Sequence, residues 1–101
     1  MKSVARVFKA LADPTRRQIL QELKDGELSA GEITARFPIS GPSISRHLSI
    51  LKGADLVAER REGNRIVYQL EPEHVAEVVG DFLSAVCPTQ VLRNRNRRSK
   101  S

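Results

Sequence analysis

The segment from Ile33 to Leu70 limits the fold of this chain more than any other part of the sequence. Its first half contains a short apolar-periodic run, a turn, and a second helical run. The second run repeats its apolar residues at helical spacing: Ile44, Leu48 and Leu51. The second half of the segment contains two strand-like runs joined by the turn signal Gly63-Asn64. A helix, a turn, a second helix and a basic hairpin in this order indicate a winged helix-turn-helix.

Capping signals divide the rest of the chain into helices. They are Asp13 before Pro14, Ser29 with Glu32 in a capping box, Ser40, and Pro72. With an amphipathic first helix at 2–12, they predict a mostly α fold (α+β): four helices, strands at 56–61 and 65–70, and a fifth helix. Gly53 is expected to end the fourth helix. The residues expected to face the core from the second strand are Ile66, Tyr68 and Leu70.

The 101 residues fit one folded domain, 1–87, followed by a basic tail, 88–101. The tail carries five bases and no acid, whereas the first 87 residues carry twelve bases and twelve acids. The high isoelectric point therefore overstates the case for nucleic acid. A polar, basic tail is expected to be disordered. It could serve as a DNA-tracking arm or as a solubilising end.

Several functional classes lack support in the sequence. No apolar run approaches the ~20 residues of a membrane span, and Met1-Lys2 leads directly into a helix without a signal peptide. The single cysteine, Cys87, cannot form an internal disulfide, which favours a cytoplasmic location. No catalytic set or phosphate-binding loop is present, so no enzymatic activity is expected.

The polar side of the fourth helix and the basic hairpin are the candidate DNA-binding surfaces. An α-helix fits the major groove, where an arginine such as Arg46 can donate two bonds to guanine. Arginines on a wing suit the minor groove or the backbone. The candidate residues are Ser43, Ser45, Arg46, His47 and Ser49 on the helix, and Arg60, Arg61, Asn64 and Arg65 on the hairpin. The alternative for His47 is a half-buried histidine that braces the helix.

The first and fifth helices are too apolar for a monomer of this size, and they are expected to form a homodimer interface. The candidate interface residues are Val4, Val7, Phe8, Val75, Val79, Phe82 and Val86. A twofold dimer would read an inverted-repeat operator in double-stranded DNA. The alternative is that these residues only close the core of one chain.

Three segments carry a resemblance to a known family. They read F-K-A-L-A-D-P-T-R-R-Q-I-L, S-I-S-R-H-L-S-I-L-K-G-A-D-L-V and R-R-E-G-N-R-I-V-Y-Q-L. Over nearly all of its folded part, the chain resembles the ArsR-family winged-helix repressors. Within that family it is most similar to the metal-independent, SdpR-like branch. The resemblance implies a homodimeric transcriptional repressor that occludes a promoter, often its own.

The resemblance also bears on metals. Family metal sensors use thiolates in the third helix, but here Ser29 and Gly31 stand at those positions, in E-L-S-A-G-E-I. On the fifth helix only His74 matches a ligand position; the other three hold Pro72, Ala85 and Pro88. One imidazole cannot form a tetrahedral zinc site, so no metal or cofactor is expected.

Two other functions stay open. One is a protein-interaction adaptor with weak DNA binding, although Arg46 and the basic hairpin argue against it because an adaptor needs neither. The other is a redox- or ligand-responsive repressor, with Cys87 as the redox group. A regulatory protein partner is a third source of control that the sequence leaves open.

Overall fold

The computed structural model describes the backbone of residues 2–99 and the side chains of residues 4–95. Over this range the chain forms six helices and three short strands. They are α1 (Lys2–Leu11), α2 (Pro14–Leu23), β1 (Leu28–Ser29), α3 (Ala30–Ala35), α4 (Gly41–Gly53), β2 (Val57–Glu62), β3 (Arg65–Leu70), α5 (Pro72–Val86) and α6 (Thr89–Ser99). None of the helices in this range is long and apolar enough to cross a membrane.

The predicted caps set the starts of α2, α3 and α4. The Asp13 carboxylate accepts the backbone N–H of Arg16 at 3.0 Å. Ser29 and Glu32 form the complete capping box, with N–H···O distances of 3.1 and 2.8 Å. Ser40 caps α4 by accepting the backbone N–H of Ser43. These side chains satisfy backbone donors that the first helical turn leaves without partners.

α4 ends at Gly53, as the sequence predicted, and the left-handed residue that follows it was not predicted. Asp55, two positions later, takes this conformation with φ 60°. The N–H groups of Asp55 and Leu56 donate to the carbonyls of Lys52 and Leu51, at 2.9 and 3.0 Å. This is the Schellman arrangement, and the buried Leu56 and Leu51 supply its usual apolar contact.

The sheet has three antiparallel strands in the order β1-β3-β2, where the sequence predicted two. β1 pairs Leu28 with Tyr68, so the short strand lies beside the hairpin. Two residues are too few for a period-two pattern, which explains why the sequence did not indicate it. The predicted turn is present: Glu62 pairs with Arg65, and φ is positive at Gly63, as in a type II′ turn.

The core forms where α1, α2, α3 and α4 meet the sheet. Ile44, Leu48 and Leu51 are buried, as predicted. In β3 the structure buries Val67 and Tyr68 and leaves Ile66 and Leu70 partly buried. Val67 was not predicted because it lies on the other face of the strand, where its cross-strand neighbours Ser29 and Arg60 flank it.

The C-terminal segment also differs from expectation. The sequence predicts a disordered tail over 88–101, whereas the structure has α6 at Thr89–Ser99; residues 100 and 101 lie outside the described part. The Pro88 carbonyl accepts the N–H of Val91 at 2.9 Å and so begins the first turn. Gln, Leu and Arg favour helices, a preference that an argument from polarity alone overlooks.

Candidate nucleic-acid interface

The exposed side of α4 carries the side chains that the sequence assigned to DNA. Ser45, Arg46 and Ser49 are exposed, on the side of the helix opposite the buried Ile44 and Leu48. The Arg46 guanidinium forms no hydrogen bond or ion pair with any residue whose side chain the structure describes. All its donors are therefore available to a ligand, and a planar guanidinium with free donors suits guanine or phosphate.

Ser43 belongs to the cap of α4 as well as to its exposed side. Its hydroxyl oxygen accepts a hydrogen bond from the Ser40 hydroxyl at 3.0 Å. Its own O–H can then point outward and donate to an acceptor outside the chain. The first turn of α4 thus presents a hydroxyl whose position is fixed before any ligand binds.

His47 is the candidate that the structure ties most closely to the rest of the chain. Its ring is half-buried, and its Nδ1 lies 3.3 Å from Nη1 of Arg16 and 3.9 Å from a carboxylate oxygen of Asp13. An Arg can only donate, so Nδ1 is assigned as the acceptor in this contact. This arrangement favours the bracing alternative for His47, because the ring links α4 to the start of α2.

Arg16 and Arg17 have a structural role that the sequence did not reveal. Arg16 donates from Nε to the Ala10 carbonyl at 2.7 Å and from Nη2 to the Lys9 carbonyl at 3.1 Å. Arg17 donates to the Leu11 carbonyl at 2.6 Å. Both therefore satisfy carbonyls at the C-terminal end of α1 that have no helical partner. Arginines soon after a short interhelical turn are the sequence signal for such contacts.

The hairpin arginines fall into two groups. Arg60 holds both carboxylate oxygens of Glu27 and also pairs with Glu62, at 2.6 Å. Arg65 pairs with Glu32 at 3.3 Å. Arg61 is exposed and forms no ion pair within residues 4–95. Of the three predicted wing arginines, Arg61 is the one whose guanidinium is not shared with a carboxylate.

These pairs were invisible in the sequence because their members lie far apart in it. Glu27 precedes β1 and Arg60 lies on β2, so only the sheet register shows that they meet. The Arg60 guanidinium holds the pKa of the Glu27 carboxyl below its usual range, and Glu27 raises the pKa of Arg60 in turn. Asn64 is exposed at the turn, as predicted for the tip of a wing.

A further ion pair joins α4 to the wing. Lys52, in the last turn of α4, pairs with Glu59 on β2. Hydrogen bonding to Lys52 lowers the pKa of Glu59, and Glu59 also interacts with the Tyr68 hydroxyl. This ion pair therefore links the last turn of α4 to the hairpin.

The candidate dimer residues also separate in the structure. Val7 is fully buried within one chain, so it cannot contact a partner, and its assignment to the interface is corrected to the core. Phe82 is 44% exposed and Val86 60% exposed, and Val4 is also exposed. The Phe8 and Phe82 rings meet edge to face with centroids 5.0 Å apart. Val75 and Val79 are partly buried against the core.

The comparisons with known proteins agree with this geometry. A family model described as a helix-turn-helix domain matches residues 11–60. The chain is 55% identical over 80 residues to the transcriptional repressor SdpR of Bacillus subtilis, and the alignment covers 79% of this chain and 89% of that protein. It is 45% identical to an HTH-type transcriptional regulator of Mycobacterium tuberculosis, over 80% of this chain and 76% of that one.

The chain belongs to the ArsR family. A crystal structure of an ArsR family transcriptional regulator matches it with a TM-score of 0.78 and 27% identity, over 92% of both chains. An ArsR-like regulator from Rhodococcus matches with a TM-score of 0.74 and 29% identity, over 98% of this chain and 88% of that one. The predicted winged helix-turn-helix is confirmed. This ArsR-family chain is a DNA-binding transcriptional regulator and not an enzyme.

Proposed function

We propose that this chain is a sequence-specific repressor that binds an inverted-repeat operator as a homodimer. We further propose that the promoter of its own gene is among its targets and that it acts in the cytoplasm. The observation that carries the proposal is the exposed side of α4. There Arg46 has no partner among the described side chains, and Ser45 and Ser49 flank it. A helix that buries one side and leaves such donors open on the other suits the major groove.

Homodimerisation is supported by the apolar surface that α5 leaves uncovered. Phe82, Leu83 and Val86 are all exposed, whereas Val78, one turn earlier on the same helix, is buried. Val4 is exposed near them on α1, whose contacts with α5 include the Phe8–Phe82 pair. A contiguous apolar patch on a small chain is usually an interface. A second copy would cover it with the same residues.

Repression without a metal is the finer part of the proposal. The Ser29 hydroxyl, at one of the positions where family metal sensors carry a thiolate, accepts a backbone hydrogen bond in the capping box. Gly31, at the other position, has no side chain to offer. In the part of the chain that the structure describes, no three metal-ligating side chains lie together. Operator binding is therefore expected to be the same with and without a chelator.

Arg46 provides the test of sequence recognition. Arg46→Ala is expected to weaken binding to a footprinted operator by about 1–3 kcal/mol per half-site and to relax discrimination at one base pair of each half-site. Arg46→Lys keeps the charge but loses the two-pronged donor, so it should retain non-specific binding while losing discrimination. Lys24→Ala, an exposed cation at the end of α2, is the control for a lost charge.

Footprinting upstream of the gene supplies the DNA. A protected inverted repeat with half-sites about 34–36 Å apart is the expected result. If Arg46→Ala discriminates between operator and scrambled DNA as well as the parent protein does, α4 is not the reading helix and the proposal fails.

A further inference from the structure

A cleft of about 300 Å³ opens between α1 and the C-terminal half of α4. Arg6 and Lys9 of α1 and Arg16 of α2 line one side of it, and three residues of α4 line the other: Ile50, Gly53 and Ala54. Three of the six lining residues are cations and none is an acid. Its volume lies at the lower end of the ~300–1,000 Å³ range of small-molecule sites.

The cations of this cleft are not neutralised by ion pairs. Arg6 and Lys9 are exposed, and neither pairs with a carboxylate among residues 4–95. The Arg16 guanidinium is held by two carbonyls and by His47. The Asp13 carboxylate attracts the Arg16 guanidinium electrostatically but forms no ion pair with it. Five N–H groups less these three contacts leave two donors of Arg16 uncommitted.

The opposite wall of the cleft is apolar. Ile50 is one of the large hydrophobic residues that the fold leaves exposed, and Ala54 behind it is buried. The aliphatic stems of the lysine and arginines add further apolar surface. A bare inorganic anion would satisfy the cations but leave the Ile50 wall in water. An anion carried on an apolar body would cover both.

We infer that this α1–α4 cleft binds a small organic anion, a carboxylate on an apolar body the size of one ring or a short alkyl chain. The carboxylate lies among Arg6, Lys9 and Arg16, and the apolar body lies against Ile50. By helical register, Arg6 and Lys9 lie on the side of α1 away from Val4 and Phe8. The cleft therefore stays open when a second chain covers the proposed dimer surface.

The position of the cleft connects it to DNA binding, and this step rests on the proposed function. Ile50 follows Arg46 by one helical turn on the same side of α4, and Gly53 follows by a second. A bound carboxylate would place a negative charge beside the surface that meets DNA phosphates. Ligand and operator then oppose each other, and by linkage each lowers the affinity of the other by the same factor.

Ligand binding is tested first, on the full-length protein without DNA. Benzoate and hexanoate are titrated at constant ionic strength and followed by the NMR signals of the Ile50 methyl groups and the Gly53 and Ala54 amides. Saturable shifts at these residues are expected, with weaker binding of benzyl alcohol and of inorganic phosphate. The Arg6→Gln/Lys9→Gln double variant should weaken benzoate binding by about tenfold, whereas Lys24→Gln should not change it.

Four results of this titration would overturn the assignment. Three are the absence of saturable shifts, equal binding of benzyl alcohol, and equal binding by the double variant. The fourth is equal affinity for inorganic phosphate, because the cleft would then be a general anion patch.

Coupling to DNA is tested second, with the operator and saturating benzoate. Benzoate is expected to weaken operator binding by the parent protein several-fold more than by the double variant. If the parent fails to bind benzoate while the double variant loses operator affinity, the patch contacts DNA phosphates and the ligand proposal is refuted. If benzoate binds but no DNA is recognised, the proposed function fails and the cleft assignment stands.

Discussion

The division among the wing arginines gives a prediction that compares two neighbouring residues. Arg61→Ala and Arg60→Ala remove the same charge from adjacent positions of β2, so their long-range electrostatic effects are nearly equal. The structure separates them locally, because Arg60 is held by Glu27 and Glu62 while Arg61 has no carboxylate partner among the described side chains. We expect Arg61, and not Arg60, to contact a phosphate.

The magnitude follows from counterion release. Each phosphate contact contributes about −0.9 to the slope of log K against log salt, and a dimer has two wings, so Arg61→Ala should reduce the slope by about 1.8. Between about 50 and about 200 mM salt this difference amounts to about tenfold in affinity. Arg60→Ala should leave the slope within about 0.5 of the parent value, since its guanidinium is already committed to carboxylates.

Fluorescence anisotropy with labelled operator across a salt series measures both slopes. Glu27→Gln is the complementary variant, because it releases Arg60 from its bidentate partner while leaving Arg61 unchanged. If Glu27 only anchors the wing, this variant keeps the parent slope. Equal reductions in Arg60→Ala and Arg61→Ala would show that Arg60 leaves Glu27 to bind DNA, and the reasoning would be refuted.

Three further predictions concern the interface and the titrating groups. Phe82→Glu places a charge in the exposed apolar patch and should give a monomer in sedimentation that binds the operator weakly; a stable dimer would contradict the assignment. The backbone N–H of Arg16 lowers the pKa of the Asp13 carboxyl below its ordinary value of 3.8. The stability that the ionised carboxylate adds is therefore present above pH 3.8 and is lost as the pH falls through the lower pKa of the folded state. Asp13→Asn keeps the cap, so its acid melts should lack this loss of stability. Burial and Glu59 raise the pKa of Tyr68 to about 12. Since the chain has one Tyr and no Trp, absorbance at ~295 nm reports the ionisation of Tyr68 alone, and it should show less than half ionisation at pH ~11 while circular dichroism shows a folded chain. A titration midpoint near ~10 would contradict this.

Local chemistry was predictable from the sequence wherever the cause and its effect lie within one turn of chain. Ser29 and Glu32 are three residues apart, and their capping box is present as expected. Gly63 and the residue after it determined the hairpin in the same way. Gly53 ends α4 as expected, but the left-handed conformation of Asp55 was not predicted, because glycine usually provides it.

Contacts between distant residues were not predictable. The pairing of Glu27 with Arg60 and of Glu32 with Arg65 spans 33 positions in each case. It depends on β1, which is two residues long and leaves no pattern. Charge counting along the sequence therefore treated three wing arginines as equivalent, although their partners make them different. The same limit applies to Val7, which shares the apolar side of α1 with exposed Val4 but is fully buried.

Arg16 shows how one side chain relates the two proposed surfaces to each other. It holds the last carbonyls of α1, the helix that carries part of the apolar patch, and it contacts His47 on α4, the helix that carries Arg46. In the proposed dimer, the distance between the two copies of α4 would depend on how α4 is placed relative to α1. A lysine could not replace Arg16, because one ammonium cannot reach three acceptors in the fixed directions of a guanidinium. Under the proposed function, Arg16 would therefore help to set the geometry of DNA reading without touching DNA.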